Sequence, residues 1–159
     1  MNFLALNKNM GLQEWKNAIR DVANIKKNYP MLQDNLYTII EKNIHTDSAT
    51  YKIGFNAECE IYKVHFPTQP MTPGACLLEM AKEIAEDFTS TKLMLKIASN
   101  IRFLKPIDPN LFPVVNVDLK MNQNQEEDRP DETEVNLKIY FEEDVFAKMN
   151  LCFIENPVS

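Results

Sequence analysis

Four stretches in the second half of the chain alternate apolar and polar residues with a period of two. Leu93, Leu95, Ile97, Ile101 and Phe103 stand against Met94, Lys96, Ala98, Asn100 and Arg102, and Val115, Val117, Leu119 and Met121 stand against Asn116, Asp118 and Lys120. The period returns in Val135, Leu137, Ile139 and Phe141, and again in Ala147, Met149, Leu151 and Phe153. Successive side chains of a strand point to opposite faces, so each stretch predicts a strand with one apolar and one polar side. Together they predict an antiparallel sheet buried on one face. Upstream, residues 36–44 and 49–64 are rich in β-branched and aromatic residues, with Tyr51, Ile53 and Phe55 alternating. They are expected to form two more strands, the second interrupted near Asn56.

Two segments carry the helical period instead. Leu12, Trp15, Ile19, Val22 and Ile25 predict an amphipathic helix over 12–26, closed by Asn28-Tyr29-Pro30. In residues 73–89, Pro73 sits at a first turn and Leu77, Leu78, Ala81, Ile84, Ala85 and Phe88 form an apolar stripe. This second helix is the one placed to cover the apolar side of the sheet, which is expected to wrap around it. The resulting class is α+β, with a helical extension over 1–30 and one domain over 31–159. The acidic tract 122–134, NQNQEEDRPDETE, reads as a solvated hairpin loop.

Charge narrows the partners. A formal net charge of −6 argues against nucleic acid or an anionic membrane surface as the main partner. No stretch approaches the roughly 18 apolar residues of a membrane-spanning helix, and the apolar run near Met1 is short for a secretory signal. Cys59, Cys76 and Cys152 are odd in number and irregularly spaced, so they form neither a disulfide framework nor a metal-ligand pattern and read as buried small side chains. A reducing cytoplasm is the expected compartment. The one local basic run lies between Lys92 and Lys105, where Lys92, Lys96, Arg102 and Lys105 occur with no acid.

The candidate chemistry sits in His65-Phe-Pro-Thr-Gln-Pro-Met-Thr-Pro-Gly-Ala-Cys-Leu-Leu-Glu79. Pro67, Pro70 and Pro73 each fix a φ angle and remove an N–H, which leaves the connection little freedom to lose on folding. Gly74, lacking a Cβ, lets another molecule approach a free backbone N–H at the positive end of the helix, a seat for an oxygen gaining negative charge. Helical periodicity puts Glu79 on a face with Ala75 and Cys76, away from the apolar stripe, and alone it would read as an exposed glutamate. His65 alone would read as a hydrogen-bonded structural histidine.

The whole segment resembles the signature of the 3-hydroxyacyl-[acyl-carrier-protein] dehydratases of the FabZ/FabA type, carried here by His65, Phe66, Pro67, Pro70, Pro73, Gly74 and Glu79. Ile101-Arg-Phe-Leu-Lys-Pro-Ile-Asp-Pro-Asn110 is similar to a second motif of that family, an Arg-Phe pair followed by a basic residue, a proline and a turn. The likeness runs over about residues 31–155. It implies a hot-dog fold, a curved antiparallel sheet around a long central helix, in a homodimer or a higher oligomer with active sites at the subunit interface. It further implies that a (3R)-hydroxyacyl thioester is dehydrated to the trans-2-enoyl thioester. His65 would be the base, the Gly74 N–H would hold the enolate oxygen, and Glu79 from the other subunit would protonate the leaving hydroxyl. Phe66, Pro67, Pro73 and Cys76 would lie around the substrate. The partner implied is acyl carrier protein with its phosphopantetheine-linked acyl group, received by Arg102, Lys105 and Lys96.

Neither metal nor organic cofactor is expected, since the sequence offers no ligand cluster and no glycine-rich phosphate loop. Lys82 and Glu83 stand where many members carry a small residue and a glutamine, and charge there would alter the pocket. Two rivals stay open at this stage, a hot-dog acyl-thioesterase and a non-catalytic acyl-binding subunit of a dimer.

Overall fold

The computed structural model describes residues 20, 23, 24, 26–28, 30–65, 68–122 and 131–156, with the side chain of His65 outside that set. Its elements are β1 (Tyr37–Ile44), β2 (Ser48–Phe55), α1 (Glu60–His65), α2 (Gly74–Thr89), β3 (Leu93–Phe103), β4 (Val114–Asn122), β5 (Glu132–Phe141) and β6 (Asp144–Glu155). The six strands make one sheet in the order β1-β2-β4-β5-β6-β3, and each neighbouring pair is antiparallel. The chain leaves β2 near one edge, runs through both helices, and re-enters at the opposite edge as β3.

One face of the sheet is the core. Tyr51, Ile53, Val115, Val117, Leu119, Val135, Leu137, Ile139, Met149, Leu151 and Phe153 are all buried on it, the alternate positions that the period of two singled out. Against them α2 packs Leu77, Met80, Ala81, Ile84 and Ala85, while Leu78 and Phe88 flank the stripe half-buried. A buried aliphatic side chain contributes about 1.5–3 kcal/mol, so this interface dominates what holds the helix in place. Ser90, in the left-handed conformation at φ 55° and ψ 33°, ends α2, and Glu86 accepts the Leu93 N–H at 2.9 Å to set the start of β3.

The structure departs from the sequence expectations in four places. The strand expected over 49–64 stops at Phe55, and its second half is a turn followed by α1. Asn56 makes that break: its Oδ1 accepts the Glu58 N–H at 3.1 Å and its carbonyl accepts the Cys59 N–H at 3.1 Å. Ile61 and Tyr62, adjacent in sequence, are then both buried, off the period of two that a strand with one apolar face would show. In β3 the alternation fails at its centre, where Ile97 is 50% exposed. Register shifts between Leu95 and Ile97 and between Ser99 and Arg102 cause this, and Asn100 at φ 50° is part of the second. The acidic tract contributes its last residues to β5, so Glu132 and Glu134 are half-buried strand residues, while 123–130 lie outside the described set. Finally, α2 begins at Gly74 with Pro73 as its cap position. Of the helix expected over 12–26, residues 20, 23, 24 and 26 are described and are helical, as are 27 and 28.

Candidate functional site

The heavily prolinated connection joins the end of α1 to the start of α2. His65 is the last residue of α1, and Phe66 and Pro67 lie outside the described residues. The far end of the connection is locked from inside. Thr72, fully buried, donates its N–H to the Ile107 carbonyl at 2.9 Å and its hydroxyl to the same oxygen at 3.3 Å. Its Oγ1 lies 3.0 Å from the Tyr62 hydroxyl. Since Thr72 spends its proton on Ile107, Tyr62 is the donor in that pair. Burial pushes the Tyr62 phenol well above its ordinary range, so it stays a neutral donor. One chain of three hydrogen bonds thus ties α1, the approach to α2 and the loop after β3 together. Sequence reasoning missed Tyr62 and Thr72, because Tyr62 fell in a segment read as strand.

Two residues beyond Thr72, α2 opens without a side-chain cap. The N–H groups of Cys76 and Leu77 turn back to the Pro73 carbonyl at 3.0 and 3.1 Å. Those of Gly74 and Ala75 find no backbone acceptor among the described residues, although both residues are buried. These groups lie at the positive end of a 16-residue helix, where an oxygen gaining negative charge is stabilised. Cys76 is buried in the same turn, and all three cysteines are buried with free thiols.

Glu79 is not the exposed glutamate that its helix face suggests. Its side chain is 11% exposed, with Lys26 Nζ at 2.8 Å and Lys82 Nζ at 3.8 Å from Oε1. Acids recur every four residues on this face of α2, at 79, 83 and 87, and each is covered. Glu83 accepts the N–H groups of Leu32 and Gln33 and the Tyr37 hydroxyl, each at 2.9 Å. Asp87 accepts the Tyr51 hydroxyl at 2.7 Å and faces Lys42 Nζ at 3.1 Å. Glu83 is buried and anchors the segment before β1 to the helix. Desolvation raises its carboxyl above the usual range, against the opposing effect of its three donors. Burial, and then Glu83 itself, raise Tyr37 further still.

The basic run splits into paired and unpaired cations. Lys96 pairs with Glu132, and Lys105 Nζ lies 2.7 Å from Asp144 and 5.7 Å from the centre of the Phe112 ring. Arg102 is exposed on the outer face of β3. Glu132, Glu134 and Cys152 bring three potential metal-ligand atoms within 4.8 Å of one another, but Lys96 already supplies the cation at Glu132. Burial and Glu132 raise the Cys152 thiol, which disfavours the thiolate that a metal would need. Among the described residues no helix is long and apolar enough to cross a membrane.

Comparison with known proteins places this architecture. Residues 41–147 match the ApeI-like family model, described as ApeI dehydratase. No curated protein matches the chain. Among solved structures, the dehydratase heterocomplex ApeI:P from Xenorhabdus doucetiae is similar over 74% of this chain and 96% of that one, at 14% identity and a TM-score of 0.54. Cj0977 from Campylobacter jejuni, a sigma28-regulated virulence protein, is similar over 81% and 91%, at 14% identity and a TM-score of 0.59. YhdA from Lactococcus lactis, named as a proposed thioesterase, is similar over 81% and 98%, at 14% identity and a TM-score of 0.58. At such identities the likeness is one of fold, and the fold is the hot-dog.

Proposed function

The chain belongs to the ApeI-like dehydratase family, and from that membership we propose that it dehydrates (3R)-3-hydroxyacyl thioesters carried on acyl carrier protein to trans-2-enoyl thioesters, as the FabZ/FabA type does. The supporting observation is the uncapped start of α2, where the N–H groups of the buried residues Gly74 and Ala75 have no backbone acceptor among the described residues. The connection that leads there starts at His65. An oxyanion seat, a carboxyl group and an imidazole attached to one braced segment are the parts that an elimination next to a thioester carbonyl requires.

The reaction proceeds as follows. The His65 imidazole takes the proton from the carbon next to the thioester carbonyl, and the electron pair moves onto the carbonyl oxygen, held by the Gly74 N–H. As the pair returns to form the carbon–carbon double bond, the bond to the 3-hydroxyl breaks. Glu79 of a second copy gives that oxygen its proton, and water leaves. Proton return from His65 to Glu79 closes the cycle. For this, Glu79 must exchange its contact with Lys26 for the substrate hydroxyl. Phe66, Pro67, Pro73 and Cys76 surround the acyl thioester in this reading. Arg102 receives the carrier first, with Lys96 and Lys105 contributing through their paired positions. The active assembly is a homodimer joined along the free edge of β3, working in the cytoplasm, with the helical extension over 1–30 attached to the domain over 31–159.

The test is product analysis by mass spectrometry after incubation with a 3-hydroxyacyl thioester. Loss of one water with the thioester intact is the expected result. Release of free thiol would establish the thioesterase reading, and an unchanged substrate bound to folded protein would establish a non-catalytic acyl-binding subunit.

A further inference from the structure

The polar face of the sheet carries a charge pattern that the dehydration chemistry does not use. The register sets Lys138 of β5 opposite Lys148 of β6, and Lys148 opposite Arg102 of β3. All three point away from the core, since their chain neighbours Leu137, Ile139, Ala147, Met149, Ile101 and Phe103 are buried. Strands lie about 4.8 Å apart, so three cations start within roughly 10 Å of one another. Like charges directly opposite destabilise a sheet.

One acid borders the row. Asp118 is the register partner of Lys138 on the other side, and its Oδ1 accepts the Thr50 and Tyr140 hydroxyls at 3.1 and 3.0 Å. Lys138 Nζ rests over the Tyr140 ring, 4.7 Å from its centre. Among the described residues, none of Lys120, Lys138, Lys148 and Arg102 forms an ion pair, whereas Lys96 and Lys105 both do. Lys120, Lys138 and Lys148, with Asn136 and Asn150, line a shallow depression of about 480 Å³ on this face.

We propose that the row Lys138, Lys148 and Arg102, with Lys120 beside it, is the docking surface for an acidic protein, the carrier that delivers the acyl thioester. This rests on the dehydratase reading, keeps Arg102 in the carrier contact, and extends that contact onto β5 and β6 in place of the paired lysines at 96 and 105. A single small anion is served by convergent donors, whereas these charges are spread flat over three strands whose backbone N–H groups are engaged in the sheet. A flat row of cations with a single acid, Asp118, at its border fits an acidic protein surface. On a chain of net charge −6, a confined basic face also admits an acidic partner in one orientation only.

The experiment uses Lys138→Gln/Lys148→Gln in the full chain and a fluorescently labelled holo acyl carrier protein, read by anisotropy. Neutralising two opposed cations should raise the unfolding midpoint slightly while weakening carrier binding about tenfold. Wild-type binding should weaken with added salt. The KM for carrier-bound substrate should rise, with turnover of a short free thioester unchanged. Binding of the carrier at wild-type affinity by this variant would overturn the proposal. So would an equal loss on Lys96→Gln/Lys105→Gln, or equally tight binding of a single-stranded oligonucleotide to the wild type. Because anisotropy needs no catalysis, an enzyme-inactive protein that still binds the carrier through this row would sink the dehydratase reading and leave the surface standing.

Discussion

At the scale of single residues, the acids of α2 do different work according to what covers them. Glu83 receives three donors and is 4% exposed, so Glu83→Ala leaves the Leu32 and Gln33 N–H groups and the Tyr37 hydroxyl unpaired. The expected loss is on the order of 3 kcal/mol, read from urea unfolding. Its carboxyl is held above 4.5, so the folded state keeps a proton that the unfolded state releases. Stability from this residue is therefore full below pH 4.5 and is lost as pH rises through the raised value. Glu83→Gln cannot titrate, and its stability relative to wild type should improve over that interval. Tyr62→Phe removes one hydrogen bond worth about 1 kcal/mol while keeping the ring packed. If the Tyr62–Thr72 pair positions the start of α2, kcat should fall about tenfold with KM nearly unchanged, since positioning acts on the transition state. Equal kcat in Tyr62→Phe and wild type would reduce the pair to a packing role.

At the scale of elements, strand periodicity was a reliable guide wherever a strand had neighbours on both sides. β4, β5 and β6 are interior, and the positions that the alternation named are buried there except for Met121 and Phe141 at the strand ends, which are half-buried, while β6 also buries Phe146 and Cys152. β3 is an edge, and there the rule weakened: two bulges turn Ile97 out, beside Met94, which the alternation had already placed outside and which is 45% exposed. An isolated edge gains little by hiding such side chains at intervals of two, but a strand that meets a second copy buries them later. The homodimer proposal thus predicts that Met94→Asp/Ile97→Asp shifts the protein from dimer to monomer in sedimentation velocity. A wild-type monomer, or a variant that stays dimeric, would remove β3 as the interface. α1 was illegible because its six residues are too few to display a helical period and include the β-branched Ile61 and Val64. Tertiary burial of Ile61 and Tyr62, together with the Asn56 turn, decides its conformation. The covering of Glu79, Glu83 and Asp87 left one trace that could have been read, an acid at every fourth position along one helix face.

At the scale of the whole molecule, the fold was largely present in the pattern of the chain, and the partners of the site residues were not. A local sequence window cannot show that Lys26 reaches Glu79 across 53 positions, or that Ile107 holds Thr72. Nor does it show that three cations from β3, β5 and β6 fall into one row. The central claim is that His65 and Glu79 act as a pair across two copies of this chain to remove water from a hydroxyacyl thioester. The measurement that tests it most directly follows enoyl-thioester absorbance with wild type, His65→Ala, Glu79→Gln, and the two variants unfolded and refolded together. Each variant alone should be silent, and the refolded mixture should regain roughly a quarter of wild-type activity, because half its dimers carry one intact site of two. A mixture as silent as its parents, beside an active wild type, would contradict a site shared between copies, and an inactive wild-type dimer would contradict the dehydratase itself.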